Sequence, residues 1–144
     1  MTTEPTPVKL PRKMSALITL ALADLAKCER SEKYTVDMRN WHEPNSYVTC
    51  AVCFAGAVMA KTLDADVTRA LNPGNFAGNM DQLVALNFLR EGKVWDAAGQ
   101  LRLSRTDTVA ARDFGRRLDD YSDDPKKFRA DMRKLARELK AVGL

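Results

Sequence analysis

Histidine, cysteine and long apolar runs are all scarce in this chain of 144 residues, and each scarcity removes a class of protein. Three cysteines cannot all pair, and Cys50 and Cys53 form a C-x-x-C, so a secreted framework of disulfides is not expected. The longest apolar run, Cys50 to Ala60, is too short to cross a bilayer. The N-terminus lacks the apolar core of a signal peptide. We therefore expect a cytoplasmic protein.

The composition is that of one folded domain. Apolar residues make up 45% of the chain and charged residues 29%, which is ordinary globular usage and unlike a disordered chain. A chain of this length buries roughly two-thirds of its unfolded surface, so it needs no disulfide or metal for stability. Three prolines with small polar neighbours predict a flexible arm over residues 1–12. Residues 13–144 are predicted to form a single helical domain.

An uncharged segment lies near the middle of the chain. Between Cys50 and Ala60 no side chain is charged, which predicts a central apolar helix over about residues 49–63 that is covered on all sides. Thr49 is a plausible N-cap for this helix. Gly56 costs about 1 kcal/mol of helix propensity relative to alanine, and we expect close packing by another helix to compensate.

The remaining pattern favours an all-α fold, a single compact domain of five to seven helices around that central helix. A stripe of apolar residues from Met14 to Cys28 recurs at steps of three and four, which predicts the first helix. Alternation near residues 34–38 predicts one short extended segment. Start signals, turn signals and apolar periodicity predict five more helices, over about residues 66–71, 79–90, 94–101, 106–121 and 125–142.

The last predicted helix carries most of the positive charge. The net charge of the whole chain is +4, whereas the segment from Lys126 to Lys140 alone has seven basic and two acidic residues. A helix with this excess of positive charge attracts phosphates or an acidic protein. The same charge pattern is also typical of a helix surface that is simply solvated. The apolar seam from Phe128 to Val142 is narrow enough to dock on the domain or to pair with a second copy. The basic residues are Lys126, Lys127, Arg129, Arg133, Lys134, Arg137 and Lys140.

Four soft or borderline ligands raise the possibility of a zinc site. Cys28, His42, Cys50 and Cys53 supply the number that a tetrahedral site requires. Only the two cysteines of the C-x-x-C form a short-range pair, however, and Cys28 lies on the apolar stripe of its helix. Ordinary core cysteines therefore explain the same pattern, and no cofactor or metal is expected.

A cysteine nucleophile is the second chemical reading of this region. Cys50 is predicted in the first turn of a helix, where the helix dipole stabilises a thiolate, and His42 lies close enough in sequence to act as its base. No third group is evident to orient the histidine. The alternative is structural, with Trp41 anchoring its loop on the core and His42 satisfying a backbone group.

Local motifs resemble small accessory proteins encoded by tailed bacteriophages. The resemblance consists of W-H-x-P at Trp41 to Pro44, C-x-V-C-x-A-G-A-V-M-A at Cys50 to Ala60, and N-x-L-R-x-G-x-V at Asn87 to Val94. It covers about residues 14–100 and implies a phage protein that acts in the cytoplasm of a host bacterium. It implies no catalytic residue. Small phage proteins of this kind often occupy a surface of a host enzyme, nuclease complex or polymerase.

Three functions follow as hypotheses. The first is a non-enzymatic binding protein that engages a host protein or protein–nucleic-acid complex, as a takeover or anti-defence inhibitor. Its contact would use the basic helix, the Trp41–His42 loop, or both, and a homodimer is permitted. The second is a cysteine-dependent enzyme that uses Cys50 and His42. The third is a zinc-stabilised module associated with DNA.

Overall fold

The computed structural model describes residues 8–46, 49–103 and 124–144. Within these ranges the chain forms five α-helices and three short β-strands. In chain order they are α1 (Met14–Glu29), β1 (Tyr34–Val36), β2 (His42–Pro44), β3 (Cys50–Val52), α2 (Phe54–Lys61), α3 (Met80–Arg90), α4 (Val94–Gln100) and α5 (Pro125–Ala141). Two short 3-10 turns, Pro73–Asn75 and Ala77–Asn79, precede α3.

The prediction of an all-α fold is wrong, because a mixed sheet accompanies the helices. The strand order is β1-β3-β2, with β3 parallel to β1 and antiparallel to β2. The predicted extended segment near residues 34–38 contains β1, whereas β2 and β3 were not predicted. A short uncharged run is compatible with a buried strand as well as with a buried helix. Here the first residues of the run, Cys50 to Val52, are the central strand.

The central helix is shorter than predicted and begins later. It spans Phe54–Lys61 rather than about 49–63, and its N-cap is Cys53 instead of Thr49. The Cys53 residue has extended backbone angles, and its sulfur accepts a hydrogen bond from the Gly56 N–H at 3.3 Å. The prediction of complete burial is confirmed, because every residue from Cys50 to Ala60 is buried.

Gly56 allows the backbone of another segment to reach α2. A Cβ atom at this position would lie 1.6 Å from the Trp41 carbonyl oxygen. The predicted close approach at Gly56 therefore exists. The neighbour is the backbone of Trp41, the residue before β2, and not another helix as predicted.

Helix α1 packs between α2 and α5, and it runs antiparallel to α5. Near the start of α1 the Ser15 N–H donates to the Leu144 carbonyl oxygen at 3.1 Å, whereas near its end Glu29 forms an ion pair with Arg129. Helix α5 also reaches α2 through an edge-to-face contact between Phe128 and Phe54, with ring centroids 5.4 Å apart. The apolar seam of α5 is therefore largely internal; its buried members are Phe128, Met132, Leu135 and Leu139.

The start of α3 holds the chain segment that precedes α1. The Asn79 side-chain oxygen accepts from the Leu10 N–H at 2.8 Å, and its amide donates to the Val8 carbonyl at 2.7 Å. The Gln82 amide donates to the Leu10 carbonyl at 3.3 Å. Asn79 and Gln82 have the spacing of a capping box, which predicts a helix start, but Asn79 makes no side-chain cap to its own helix. Of the predicted arm, residues 1–7 lie outside the described residues and Leu10 is buried.

The other local predictions have mixed outcomes. The predicted helix over residues 66–71 is absent, since Asp66 accepts from the Thr68 N–H at 2.9 Å in a turn and Leu71 forms an isolated bridge with His42. Gly92 follows α3 with a φ of 78°, the left-handed conformation that glycine favours just beyond the end of a helix. The predicted helix over residues 106–121, with its apolar face of Ala110, Phe114, Leu118 and Tyr121, lies outside the described residues.

Candidate functional site

The three thiols lie inside the packed core and not on a surface. Cys28 and Cys50 are 0% exposed, and Cys53 is 2% exposed. Burial raises the pKa of the Cys28 thiol to about 12 and that of the Cys50 thiol to about 11. Burial also raises the pKa of Cys53, although its hydrogen bond from Gly56 acts in the opposite direction. All three side chains are therefore protonated at neutral pH and poorly nucleophilic.

His42 is fixed by the backbone rather than by a thiol. It is 1% exposed, and its Nδ1–H donates to the Arg69 carbonyl oxygen at 2.8 Å. Its register partner in the sheet is Val52, two residues beyond Cys50. The other ring nitrogen, Nε2, is buried without a hydrogen-bond partner among the described residues. This arrangement holds the segment around Arg69 against β2 and forms no cysteine–histidine pair.

Metal ligands do not converge in the described part of the chain. Cys28, His42, Cys50 and Cys53 are all described, yet no group of three histidine, cysteine or carboxylate side chains is placed to hold an ion there. Cys50 contributes to the raised pKa of Cys28, so these two thiols lie near each other. Cys53 instead lies beside the Trp41 carbonyl, 3.9 Å from its oxygen. The four candidate ligands are thus divided between different neighbourhoods.

The basic residues of α5 are mostly exposed. Arg129 is the exception, since it pairs with Glu29 and is partly buried. Lys134 lies 3.9 Å from Glu138 across one helical turn, an exposed pair that contributes little stability. Within the described residues, Arg133, Arg137 and Lys140 have no carboxylate within ion-pairing distance. Lys126 and Lys127 are exposed at the start of the helix.

A groove lies between α1 and α5, with a volume of about 970 Å³. We call it the α1–α5 groove. Its floor consists mainly of small apolar side chains from α1, and Ala136 contributes from α5. Four cations, Lys13, Arg133, Arg137 and Lys140, form what we call the cationic rim. Among the described residues that line this groove there is no aspartate or glutamate. This part of its surface therefore combines apolar area with positive charge.

The α1 side of this groove was missed by the sequence analysis. The core stripe of α1 was predicted, whereas no prediction concerned the face that lines the groove. A signal was present, because Ala16, Leu20 and Ala23 follow one another at steps of four and three. That spacing places a second apolar stripe on the helix, where charged residues would be expected.

The Trp41 segment contributes less surface than expected. Trp41 is only partly buried, but its carbonyl accepts from the Cys53 N–H at 3.5 Å and closes over Gly56. His42 offers no exposed imidazole to a partner. Of the proposed contact regions, α5 therefore presents the larger accessible surface.

Comparisons with known proteins do not assign this chain to a family. No protein-family model, no curated protein and no solved structure matches this chain. Within residues 8–46, 49–103 and 124–144, no helix combines the length and the apolar character that crossing a bilayer requires.

Proposed function

We propose that this chain is a non-enzymatic, phage-encoded binding protein that engages a macromolecule of a host bacterium and acts in the host cytoplasm. It belongs by this proposal to the class of takeover or anti-defence inhibitors. The observation that carries the binding role is the exposed positive face of α5 beside the α1–α5 groove. The phage origin depends on the resemblance of the local motifs.

Charge and exposure favour the positive face of α5 as the contact surface over the other surfaces of the described residues. Positively charged side chains steer an acidic partner and raise its association rate, most strongly when few local carboxylates oppose them. Arg133, Arg137 and Lys140 satisfy that condition within the described residues. The helix that carries them is anchored by buried apolar residues, so its exposed side chains stand on a rigid element.

The cysteine-enzyme alternative has weaker support. A nucleophile needs access to substrate and a stabilised thiolate, whereas Cys50 is fully buried and its pKa is raised. His42 is also buried, and no hydrogen bond joins its ring to a thiol within the described residues. The zinc-stabilised module also has weaker support, because its four candidate ligands do not lie close enough together to hold one ion.

Charge reversal on α5 tests the binding role. We expect Lys134→Glu combined with Arg137→Glu to reduce capture of the host partner from bacterial lysate about tenfold, because two favourable charge contacts become repulsive. The measurement is affinity capture with the tagged full chain, followed by quantitative mass spectrometry, with and without nuclease treatment. Nuclease resistance identifies a protein partner.

The matched control is Lys33→Glu combined with Lys93→Glu. Both lysines are exposed, neither lines the α1–α5 groove, and the change in net charge is the same. We expect this variant to capture the partner as well as the unmodified chain does. Equal capture by the α5 variant and the unmodified chain would exclude α5 as the contact surface.

A further inference from the structure

We propose that the α1–α5 groove binds an acidic amphipathic helix of a partner protein. This inference rests on the proposed binding function and specifies the chemistry of the partner at that site. The partner's apolar stripe would lie on the floor of the groove, and its carboxylates would lie beside the cationic rim. Charge complementarity and the apolar floor together select this occupant.

The floor is an apolar surface that remains open to solvent. Ala16 and Ala23 are exposed, and Leu20 and Ala26 are partly exposed, although all four belong to a helix whose other side is in the core. Contiguous apolar surface of this kind usually marks an interaction site when polar residues border it. Small side chains let the backbone of a second helix approach closely.

The rim defines the charge of the occupant. Lys13 stands at one end of the groove, and Arg133, Arg137 and Lys140 lie along the α5 side. None of the four has a carboxylate partner among the described residues. A helix with glutamate or aspartate beside its apolar stripe would supply those partners, and its charged groups would remain near solvent, where pairing is not opposed by full desolvation.

The dimensions suit a helix of a few turns. The α1 residues that line the groove run from Lys13 to Ala26, which corresponds to about 20 Å of helix at about 1.5 Å per residue. A partner segment of about 13 to 15 residues would span that length. A volume of about 970 Å³ is near the upper end of ligand pockets, roughly 300–1,000 Å³, and accommodates several large apolar side chains.

Nucleic acid fits the same surface less well. Phosphates would satisfy the rim, but single-stranded nucleic acid is usually held by aromatic stacking, and no aromatic side chain lines the described groove. A phosphate backbone would also leave the methyl groups of Ala16 and Ala23 without an apolar partner. A second copy of this chain would have to bring an acidic surface to a rim that is positive in both copies.

The direct test uses a defined peptide. The probe is a fluorescent peptide of about 15 residues, with leucines spaced to form one helical stripe and glutamates beside them. A scrambled peptide of identical composition removes the stripe and keeps the charge. We expect the stripe peptide to bind the full chain at least about tenfold more tightly than the scrambled peptide, as measured by fluorescence anisotropy. Equal affinity for the two peptides would overturn the proposal.

Two variants separate apolar docking from attraction by charge alone. Ala23→Lys fills the floor, adds a positive charge and keeps a good helix former in place. We expect it to weaken binding of the stripe peptide about tenfold, whereas binding driven only by charge would be unchanged or stronger. Arg137→Glu should weaken binding by a similar factor. Lys33→Glu, an equal charge change at an exposed lysine outside α5 and outside the groove, should leave binding within about twofold.

Other occupants give distinct outcomes. Binding of a short duplex DNA that is stronger than peptide binding and is unaffected by Ala23→Lys would overturn the proposal in favour of nucleic acid. A dimer of the unmodified chain that Ala23→Lys converts to a monomer, measured by sedimentation, would assign the groove to a second copy. An introduced thiol in Ala23→Cys that is alkylated as slowly as the native buried thiols would show that the chain covers its own groove. Rapid alkylation that the stripe peptide suppresses supports the proposal.

The two experiments distinguish failure of the acidic-helix proposal from failure of the proposed function. If lysate capture depends on Lys134 and Arg137 while the stripe peptide does not bind, the binding role stands and the acidic-helix proposal fails. If charge reversal does not affect lysate capture while the peptide binds as expected, the groove accepts such a helix but α5 is not the surface that holds the captured partner.

Discussion

Replacing Gly56 with alanine is expected to lower the free energy of unfolding by about 3 kcal/mol or more, toward the severe end of overpacking. The added methyl group would lie 1.6 Å from the Trp41 carbonyl oxygen and 3.1 Å from the Val52 side chain. The first neighbour is the backbone just before β2, and the second belongs to the buried central strand, so neither α2 nor the Trp41 segment can move without disturbing the sheet. Chemical denaturation followed by circular dichroism measures the change.

The matched control is Gly99→Ala. Gly99 is an exposed residue of α4, and a Cβ atom there would meet nothing within 4 Å. Alanine has the better helix propensity, so we expect an increase in the free energy of unfolding of about 0.5–1 kcal/mol. Similar responses of Gly56→Ala and Gly99→Ala would contradict the close contact between α2 and Trp41.

Replacing Phe128 with alanine is expected to lower the free energy of unfolding by about 3–5 kcal/mol. Phe128 is fully buried and packs edge-to-face on Phe54, which joins α5 to α2. Removal of the ring leaves a cavity and removes the contact between the first turn of α5 and Phe54 of α2. Denaturation gives the energy, and limited trypsin digestion at the lysines and arginines of α5 reports its detachment.

Val142→Ala is the control on the same apolar seam. Val142 is 47% exposed, in contrast to the four buried members of the seam. We expect its replacement to change the free energy of unfolding by less than about 0.5 kcal/mol. If Phe128→Ala were equally mild, α5 would not be docked through its seam, and the α1–α5 groove would lose its fixed wall.

Local signals were sufficient where an element depends mainly on its own residues. Asp124 and Pro125 predicted the start of α5, and the Asp124 carboxylate accepts from the Lys127 N–H at 3.0 Å. The stripe from Met14 to Cys28 predicted α1 for the same reason, since amphipathic periodicity within one segment indicates both the helix and its buried face.

The sheet could not be predicted in the same way because its hydrogen bonds join distant segments. Cys50 to Val52 pairs with Tyr34 to Val36 on one side and with His42 to Pro44 on the other. The uncharged run from Cys50 to Ala60 contains no periodicity that separates its strand from its helix. Strand pairing overrides the helix propensity of Cys50 to Val52. The helix therefore begins after the strand, and its N-cap is Cys53 rather than the predicted Thr49.

The candidate site was partly predictable. The basic side of α5 followed from the concentration of charge near the end of the sequence. The groove required knowledge that α1 and α5 are antiparallel neighbours, which depends on contacts such as Ser15 with Leu144 and Glu29 with Arg129. His42 and the cysteines are close in sequence, yet hydrogen bonding to Arg69 and burial in the core give them structural roles.

The central claim is that the sulfurs of Cys28, Cys50 and Cys53 are buried in the core and that the α1–α5 surface binds the partner. Timed alkylation of the native chain with iodoacetamide, read by mass spectrometry, tests it most directly when the treated protein is then used for partner capture. Since the pKa of Cys28 is about 12 and that of Cys50 about 11, we expect both to react at least about a hundredfold more slowly than in denaturant. Partner capture should be unchanged. Rapid modification of Cys50 in the native protein, with loss of capture, would contradict the account.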